Sequence, residues 1–278
     1  MSKLKLGVIG VGNMGKSHIN MHIKGEHKEL RITAIADINA ERLAAAAELL
    51  PGVKTYDTAE ALIDSGEVDA VIIATPHYDH SPIAQYAFAK GVHVLTEKPA
   101  GVYAKQVREM NEAAAKTDLV FGIMYNQRTN CVYRKMRELV QSGELGEIRR
   151  VSWIITDWYR TQAYYNSGGW RATWAGEGGG VLLNQCPHNL DLWQWIFGMP
   201  KKIFANCAIG KYHDIEVEDD VTAMAEYENG ATGVFITTTG EFPGTNRLEI
   251  TGSKGKLVYE AGKLMYTKLG ADEREFTF

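Results

Sequence analysis

Leu4-Lys5-Leu6-Gly7-Val8-Ile9-Gly10-Val11-Gly12-Asn13-Met14-Gly15 is the stretch that decides the fold of this 278-residue chain. The apolar run Leu4–Ile9 reads as a buried β-strand, and the glycine pattern after it opens a helix over Met14–Lys24. Glycines at positions 10, 12 and 15 would supply a tight turn, a backbone that a diphosphate can approach, and close packing of helix on strand. The anion would rest on the helix N-terminus. The pattern carries weight because it sits between a strand and a helix. Gly10, Gly12, Asn13, Met14 and Gly15 are therefore candidate dinucleotide contacts.

The same alternation continues outward. Ile32–Ala36, Ala70–Ala74, Val92–Leu95 and Leu119–Ile123 read as further buried strands, separated by helical stretches Ala40–Leu50, Ser81–Ala89 and Ala104–Lys116. Strands alternating with helices predict an α/β domain with a doubly wound parallel sheet over residues 1–123. In such sheets ligands bind beyond the carboxyl ends of the strands. Asp37 ends the second strand, 22 residues after Gly15, where a carboxylate accepts hydrogen bonds from adenosine ribose hydroxyls and repels a 2′-phosphate. That points to NAD rather than NADP, with Arg42 near enough to leave NADP open. The alternative is that Asp37 only caps the helix beginning near Ala40. Thr75, Pro76 and His80 follow the strand Ala70–Ala74 and should border the cofactor, although a turn and helix cap would also account for His77 and His80.

Residues 124–278 read differently. A polar helix near Val132–Ser142 leads into a long strand, Glu147–Asp157, and the glycine-rich loop Gly176–Gly180 opens a helix over Val181–Phe197. Five strand-like runs follow: Lys202–Ile209, Val221–Tyr227, Thr232–Thr239, Arg247–Thr251 and Lys256–Tyr259. Asn229-Gly230 suits a type I′ hairpin turn. Consecutive strands without helices predict an α+β domain with a mostly antiparallel open sheet.

Composition narrows the function classes. With 45% hydrophobic and 23% charged residues and a net charge of −4, the chain has a globular composition and no general affinity for nucleic acid or anionic membrane. No apolar run approaches a membrane span, and a first strand beginning by Leu4 leaves no room for a signal peptide. Cys131, Cys186 and Cys207 lack metal-ligand spacing and read as reduced thiols in a cytoplasm, so no metal is expected.

Glu97-Lys98-Pro99 ends the apolar run Val92–Leu95. A lysine at a strand end, set in an extended turn by the following proline, points toward a bound cofactor and is a candidate catalytic cation. With this element, the chain resembles the Gfo/Idh/MocA family, the relatives of glucose–fructose oxidoreductase and inositol dehydrogenase. Four landmarks occur in order: Gly10–Gly15, Thr75-Pro76 with His80, Glu97-Lys98-Pro99, and Gly178-Gly179-Gly180 before Asn184, His188 and Asp191. The resemblance implies a Rossmann-type domain and an NAD(P)-dependent sugar or polyol oxidoreductase, with Lys98 and His188 flanking the nicotinamide and the reacting carbon. It also implies a homo-oligomer, dimer or tetramer, formed through the C-terminal sheet. Two departures stand out. Inositol dehydrogenases usually have aspartate where this chain has Asn184, and family members run past the position of Phe278 with a returning C-terminal helix, so the chain looks truncated or short.

The chemistry follows from residue types. Asn184 and His188 are four apart and would share one helix face. A neutral imidazole suits removal of a hydroxyl proton, and a lysine cation suits stabilisation of the developing alkoxide. His188 is read as base and Lys98 as its electrostatic partner, with the converse left open; Asn184 would orient. Asp191 would orient the imidazole or satisfy buried backbone, and Pro187 should kink or break the helix. All six tryptophans lie between Trp153 and Trp195, and a sheet face and core helix account for much of that. The aromatic segment Asp157–Trp174 offers Arg160, Tyr165, Trp170 and Arg171 to a sugar ring, and Asn126 after Leu119–Ile123 is a further cofactor candidate. Arg134, Lys135 and Arg137 read as a solvated helix face. The leading expectation is an NAD-dependent dehydrogenase acting on a sugar, glycoside or cyclic polyol. Its rivals are an NAD-retaining glycosidase acting by elimination and a non-catalytic nucleotide sensor.

Overall fold

The computed structural model describes residues 3–26 and 28–278, and the chain divides into two units, Met1–Met124 and Tyr125–Phe278. In chain order the first unit contains β1 (Leu4–Ile9), α1 (Asn13–Ile23), β2 (Leu30–Ala36), α2 (Ala40–Glu48), β3 (Lys54–Tyr56), α3 (Ala59–Asp64), β4 (Ala70–Ile73), α4 (His80–Ala89), β5 (His93–Thr96), α5 (Ala104–Ala115) and β6 (Phe121–Ile123). The six strands form one parallel sheet in the order β3-β2-β1-β4-β5-β6. Chain order reverses between β1 and β4, which creates the switch point where α/β folds bind ligands. Helices cover both faces, so β4 is buried at all four residues and reads as an unbroken apolar run. Burying an Ile or Leu such as Ile35, Leu62 or Ile73 contributes about 1.5–3 kcal/mol.

β3 and α3 were not expected from the sequence. β3 is a three-residue edge strand with exposed Lys54 and Thr55, too short and polar for an apolar signal. α3 has six residues, and the Thr58 hydroxyl caps it by accepting the Ala61 N–H at 3.1 Å.

The second unit contains α6 (Cys131–Gln141), β7 (Ile148–Ile155), α7 (Gln162–Tyr165), α8 (Val181–Asn184), α9 (Pro187–Phe197), β8 (Lys202–Ile209), β9 (Glu218–Glu226), β10 (Thr232–Thr238), β11 (Asn246–Gly252), β12 (Gly255–Glu260), β13 (Lys263–Lys268) and β14 (Glu273–Phe276). Its eight strands run β14-β13-β12-β11-β7-β10-β9-β8, antiparallel except for the central β7–β10 pair. On one face Val151, Trp153 and Ile155 of β7 pack with Met136 and Leu139 of α6 and Leu192, Trp193 and Ile196 of α9. On the opposite face Phe204, Met224 and Val234 sit side by side on β8, β9 and β10.

Three readings need correction. The helix expected over Val181–Phe197 is two helices, because Pro187 has no N–H for the previous turn and starts α9 instead. Asn184 ends one of these helices and His188 stands near the start of the other. The β9–β10 hairpin exists, but only Gly230 of the Asn-Gly pair has positive φ (+81°), so the turn is not type I′, which needs both. The Gly230 N–H donates to Tyr227 O, and the Tyr227 N–H donates to Ala231 O, each at 3.0 Å. The basic face of α6 is only partly solvated: Arg137 Nε donates to Trp195 O at 2.9 Å and Lys135 lies over the Phe276 ring.

Candidate active site

The glycine loop after β1 has the form of a diphosphate cradle. Gly10 has φ +86°, and a Cβ there would lie 2.7 Å from Ala74 O, so this turn presses on the end of β4. A Cβ on Gly15 would sit 1.9 Å from Gly10 O, so α1 can start against β1 only because that atom is missing. A Cβ on Gly12 meets nothing within 4 Å among the described residues. Tight turn, close packing and open approach fall on separate glycines, as a dinucleotide requires. The N–H groups of the first helical turn, at Asn13, Met14 and Gly15, are those an α-helix leaves without intrahelical acceptors and are the donors an anion would take.

Asp37, at the end of β2, accepts the Val11 N–H and the Asn39 N–H, each at 2.8 Å. It does not cap α2. Asn39 does, accepting the Arg42 N–H at 2.9 Å. The carboxylate instead braces the glycine loop from the end of β2.

Thr75 and Pro76 follow β4, and buried His80 begins α4. The two ring nitrogens of His80 lie 2.8 Å from Pro99 O and 2.9 Å from Thr75 O. His80 is thus a strut joining the loops after β4 and β5. Burial holds its pKa below the usual histidine value, outweighing the two carbonyl contacts. Glu97 is buried as well, with Oε1 2.8 Å from His18 Nε2 and Oε2 accepting the Lys98 N–H at 3.2 Å. Burial pushes the carboxyl up, but His18 and the Lys98 N–H outweigh it and hold its pKa below the usual value. Half-buried Lys98 follows in this turn, joined to Pro99 by a cis peptide.

In the second unit the glycine-rich loop serves packing. A Cβ on Gly180 would lie 1.9 Å from Glu218 O, and Glu218 caps α8 by accepting the Gly180 and Leu182 N–H groups at 2.9 and 3.1 Å. Asn184, at the end of α8, donates to Glu177 Oε1 and, at 3.4 Å, to the Tyr164 hydroxyl. The second Glu177 oxygen accepts the Ala172 N–H at 2.6 Å. Arg171 donates to the same Tyr164 hydroxyl at 2.9 Å and lies over the rings of Tyr164 and Trp170, while Arg160 lies over Tyr164 and Trp158. Asn184, Arg160, Trp170 and Arg171 are therefore gathered around Tyr164.

Other candidates are placed elsewhere. Tyr165 is buried and donates to Thr239 Oγ1 at 2.8 Å, so its hydroxyl is used inside the fold. His188, the second residue of α9, stands edge-on to Tyr125 with centroids 6.1 Å apart. Asp191 forms a two-pronged ion pair with Arg128, its oxygens 2.5 and 2.8 Å from the guanidinium nitrogens. Asn126 is exposed at the start of a 3₁₀ turn, Asn126–Thr129. Burial pushes the Cys186 thiol up to about 12, so it is inert. No cluster of metal-ligating side chains occurs among the described residues, and no helix among them is long and apolar enough to cross a membrane.

Sequence reasoning missed His18 and Glu177. Each had a signal: His18 lies three residues after Gly15 on α1, and Glu177 is the one charge in a glycine run.

A parallel sheet with a diphosphate cradle, joined to an α+β unit, is the plan of a dinucleotide-dependent oxidoreductase. Comparison with known proteins places it further. The family model described as oxidoreductase family, NAD-binding Rossmann fold, matches residues 4–125, and that for the GFO/IDH/MocA C-terminal domain matches residues 133–258. The rhizopine catabolism protein MocA of Rhizobium meliloti is 31% identical over 244 residues, 84% of this chain and 71% of that protein. The myo-inositol 2-dehydrogenase of Thermotoga maritima is 26% identical over 262 residues, covering 91% and 74%. Among solved structures, the WlbA dehydrogenase of Bordetella pertussis, in complex with NADH and UDP-GlcNAcA, superposes with a TM-score of 0.86 at 27% identity, covering 94% of this chain and 79% of that one. The chain belongs to the Gfo/Idh/MocA family of NAD-binding oxidoreductases.

Proposed function

We propose that the protein is an NAD-dependent dehydrogenase that moves a hydride between a secondary hydroxyl carbon of a sugar, glycoside or inositol-like cyclic polyol and the nicotinamide. The observation that carries this reading is the linkage, within one unit, of the glycine cradle after β1 to the lysine turn after β5. Gly10 abuts Ala74–Thr75, His80 ties Thr75 to Pro99, and His18 of α1 ties to Glu97. A lysine carried on a turn tied to a dinucleotide cradle suits a role in the chemistry. The relatives' names, inositol 2-dehydrogenase among them, support the substrate class.

When bound, the nicotinamide supplies the hydride acceptor. The His188 imidazole takes the hydroxyl proton, and the Lys98 ammonium stabilises the negative charge developing on that oxygen. Asn184 does not titrate and orients a substrate hydroxyl, while Arg160, Trp170 and Arg171 offer donors and flat faces to a hydroxylated ring. Asp37 favours NAD over NADP, since each oxygen accepts one backbone N–H and keeps lone-pair capacity for a ribose hydroxyl. The place of action is the cytoplasm, where Cys131, Cys186 and Cys207, all unpaired, stay reduced.

A panel of cyclic polyols, sugars and glycosides, myo-inositol included, should yield NADH with at least one member. Lys98→Ala should keep NADH binding and lose turnover by about 100-fold or more. Near-normal turnover in that variant, or no NADH from the whole panel, refutes the reading. The working form is a homo-oligomer, dimer or tetramer, joined through the open sheet face, where Phe204 is 76% and Met224 56% exposed. Phe204→Glu should lower the solution mass measured by light scattering, and an unchanged mass removes that face from the interface.

A further inference from the structure

Two buried titratable side chains, His18 and Glu97, have no task in the proposed reaction. Each is 6% exposed, and His18 Nε2 lies 2.8 Å from Glu97 Oε1. They come from separate parts of the first unit. His18 lies on α1, the helix whose first turn closes the glycine cradle, and Glu97 immediately precedes Lys98. The second Glu97 oxygen accepts the N–H of Lys98 itself, at 3.2 Å. One carboxylate therefore bridges the helix on which a dinucleotide rests and the backbone of the lysine. The turn is held from other sides too: the Glu97 N–H donates to Ile73 O at 2.8 Å, and His80 Nδ1 lies 2.8 Å from Pro99 O.

A buried carboxylate is costly, and a packed apolar pair would serve stability as well or better. What the ionic arrangement adds is direction: hydrogen bonds to a charged acceptor are short and angle-dependent, so movement of one partner is felt by the other. α1 is the rigid lever between them.

We propose that His18 and Glu97 are positioning residues that transmit dinucleotide occupancy of the α1 N-terminus to the Lys98 turn, so that seating the cofactor stiffens the backbone carrying the lysine. This rests on the role proposed above for Lys98. Neither side chain touches the reacting atoms; both act through the turn.

The test is amide hydrogen exchange read by mass spectrometry on the full chain, with and without NADH, which needs no substrate. In the wild type, NADH should slow exchange both in the cradle, residues 10–16, and in the turn, residues 96–101. His18→Gln places an amide nitrogen near the imidazole Nε2 and should keep both effects. His18→Asn is one methylene shorter and cannot reach Glu97, and His18→Leu has no donor. Both should keep cradle protection while losing about tenfold or more of the NADH-induced slowing in the turn, the factor that one hydrogen bond to a charged group commands. A purely structural histidine would not produce this split, nor its rescue by glutamine. Turn protection in the Asn and Leu variants equal to wild type overturns the proposal, and so does equal loss in the Gln variant. If NADH protects neither segment in the wild type, the cradle itself is misassigned and the coupling falls with it. That result is distinguishable from a protected cradle with an indifferent turn.

Discussion

Gly12→Ala and Gly15→Ala each add one methyl group to the same loop, and the geometry predicts two different failures. At Gly12 the backbone is extended (φ −68°), and the new Cβ meets nothing within 4 Å among the described residues. Lost unfolded-state freedom would stabilise the variant by about 0.4–1 kcal/mol. Loss of glycine from the helix N-cap costs about as much, so net stability should stay within about 1 kcal/mol of wild type. Affinity should not survive, because the methyl stands where a pyrophosphate oxygen approaches the first-turn N–H groups. Displacing one hydrogen bond to a charged oxygen costs about 1.5–3 kcal/mol, or about 10- to 150-fold in the NADH dissociation constant. At Gly15 the Cβ would lie 1.9 Å from the Gly10 carbonyl oxygen, a backbone atom that no rotamer change can move. α1 must then shift from β1, at about 1–3 kcal/mol or more, and the melting temperature should fall along with NADH binding. Differential scanning fluorimetry and NADH fluorescence titration read the two quantities separately. NADH binding by Gly12→Ala within about twofold of wild type, well short of the loss of one such hydrogen bond, would refute this account of the cradle, as would wild-type stability in Gly15→Ala.

Three further outcomes follow from single contacts. Iodoacetamide at pH 8 should label exposed Cys131 and Cys207 in the native protein and reach Cys186 only after denaturation, as counted by mass spectrometry. Glu177→Ala deprives the buried Ala172 N–H of its acceptor and should cost about 1–3 kcal/mol in a urea titration, with Glu177→Gln costing less because an acceptor oxygen remains. The folded pKa of Glu97 lies below its ordinary value of 4.5, so its contribution to stability is complete above that pH and is lost as pH falls through the lower folded value. Glu97→Gln should therefore be less stable than wild type at pH 7 and show a flatter acid limb between pH 5 and 3. Parallel limbs in urea midpoints would remove Glu97 from the acid transition.

The legible strands were those with an apolar run or an apolar alternation in the sequence. β1, β2 and β4 announce themselves because helices cover both faces of the sheet, so most of their residues are apolar. β13 and β14 did not, since in Lys263–Lys268 and Glu273–Phe276 most side chains are wholly or partly exposed and no apolar run forms. At Pro187 the break was readable but its consequence was not. The spacing of Asn184 and His188 looked like one continuous helix, whereas α8 ends at Asn184 and Pro187 starts α9.

Local chemistry alone was enough to specify the glycine turn, the lysine at a strand end, the helix break and the two-part architecture. These depend on a missing Cβ, a missing N–H or the period of apolar residues, all properties of a few neighbouring positions. The partners of the buried polar groups came only with the three-dimensional arrangement. His18 finds Glu97 across 79 residues, Arg128 finds Asp191 across 63, and His80 finds Pro99 across 19. A charge or ring nitrogen taken out of water must be hydrogen-bonded, but which atom satisfies it depends on which segments packing brings within about 3 Å. For that reason the partners by which Glu97, Asp191 and Tyr165 hold elements of the fold in place could not be read from the chain.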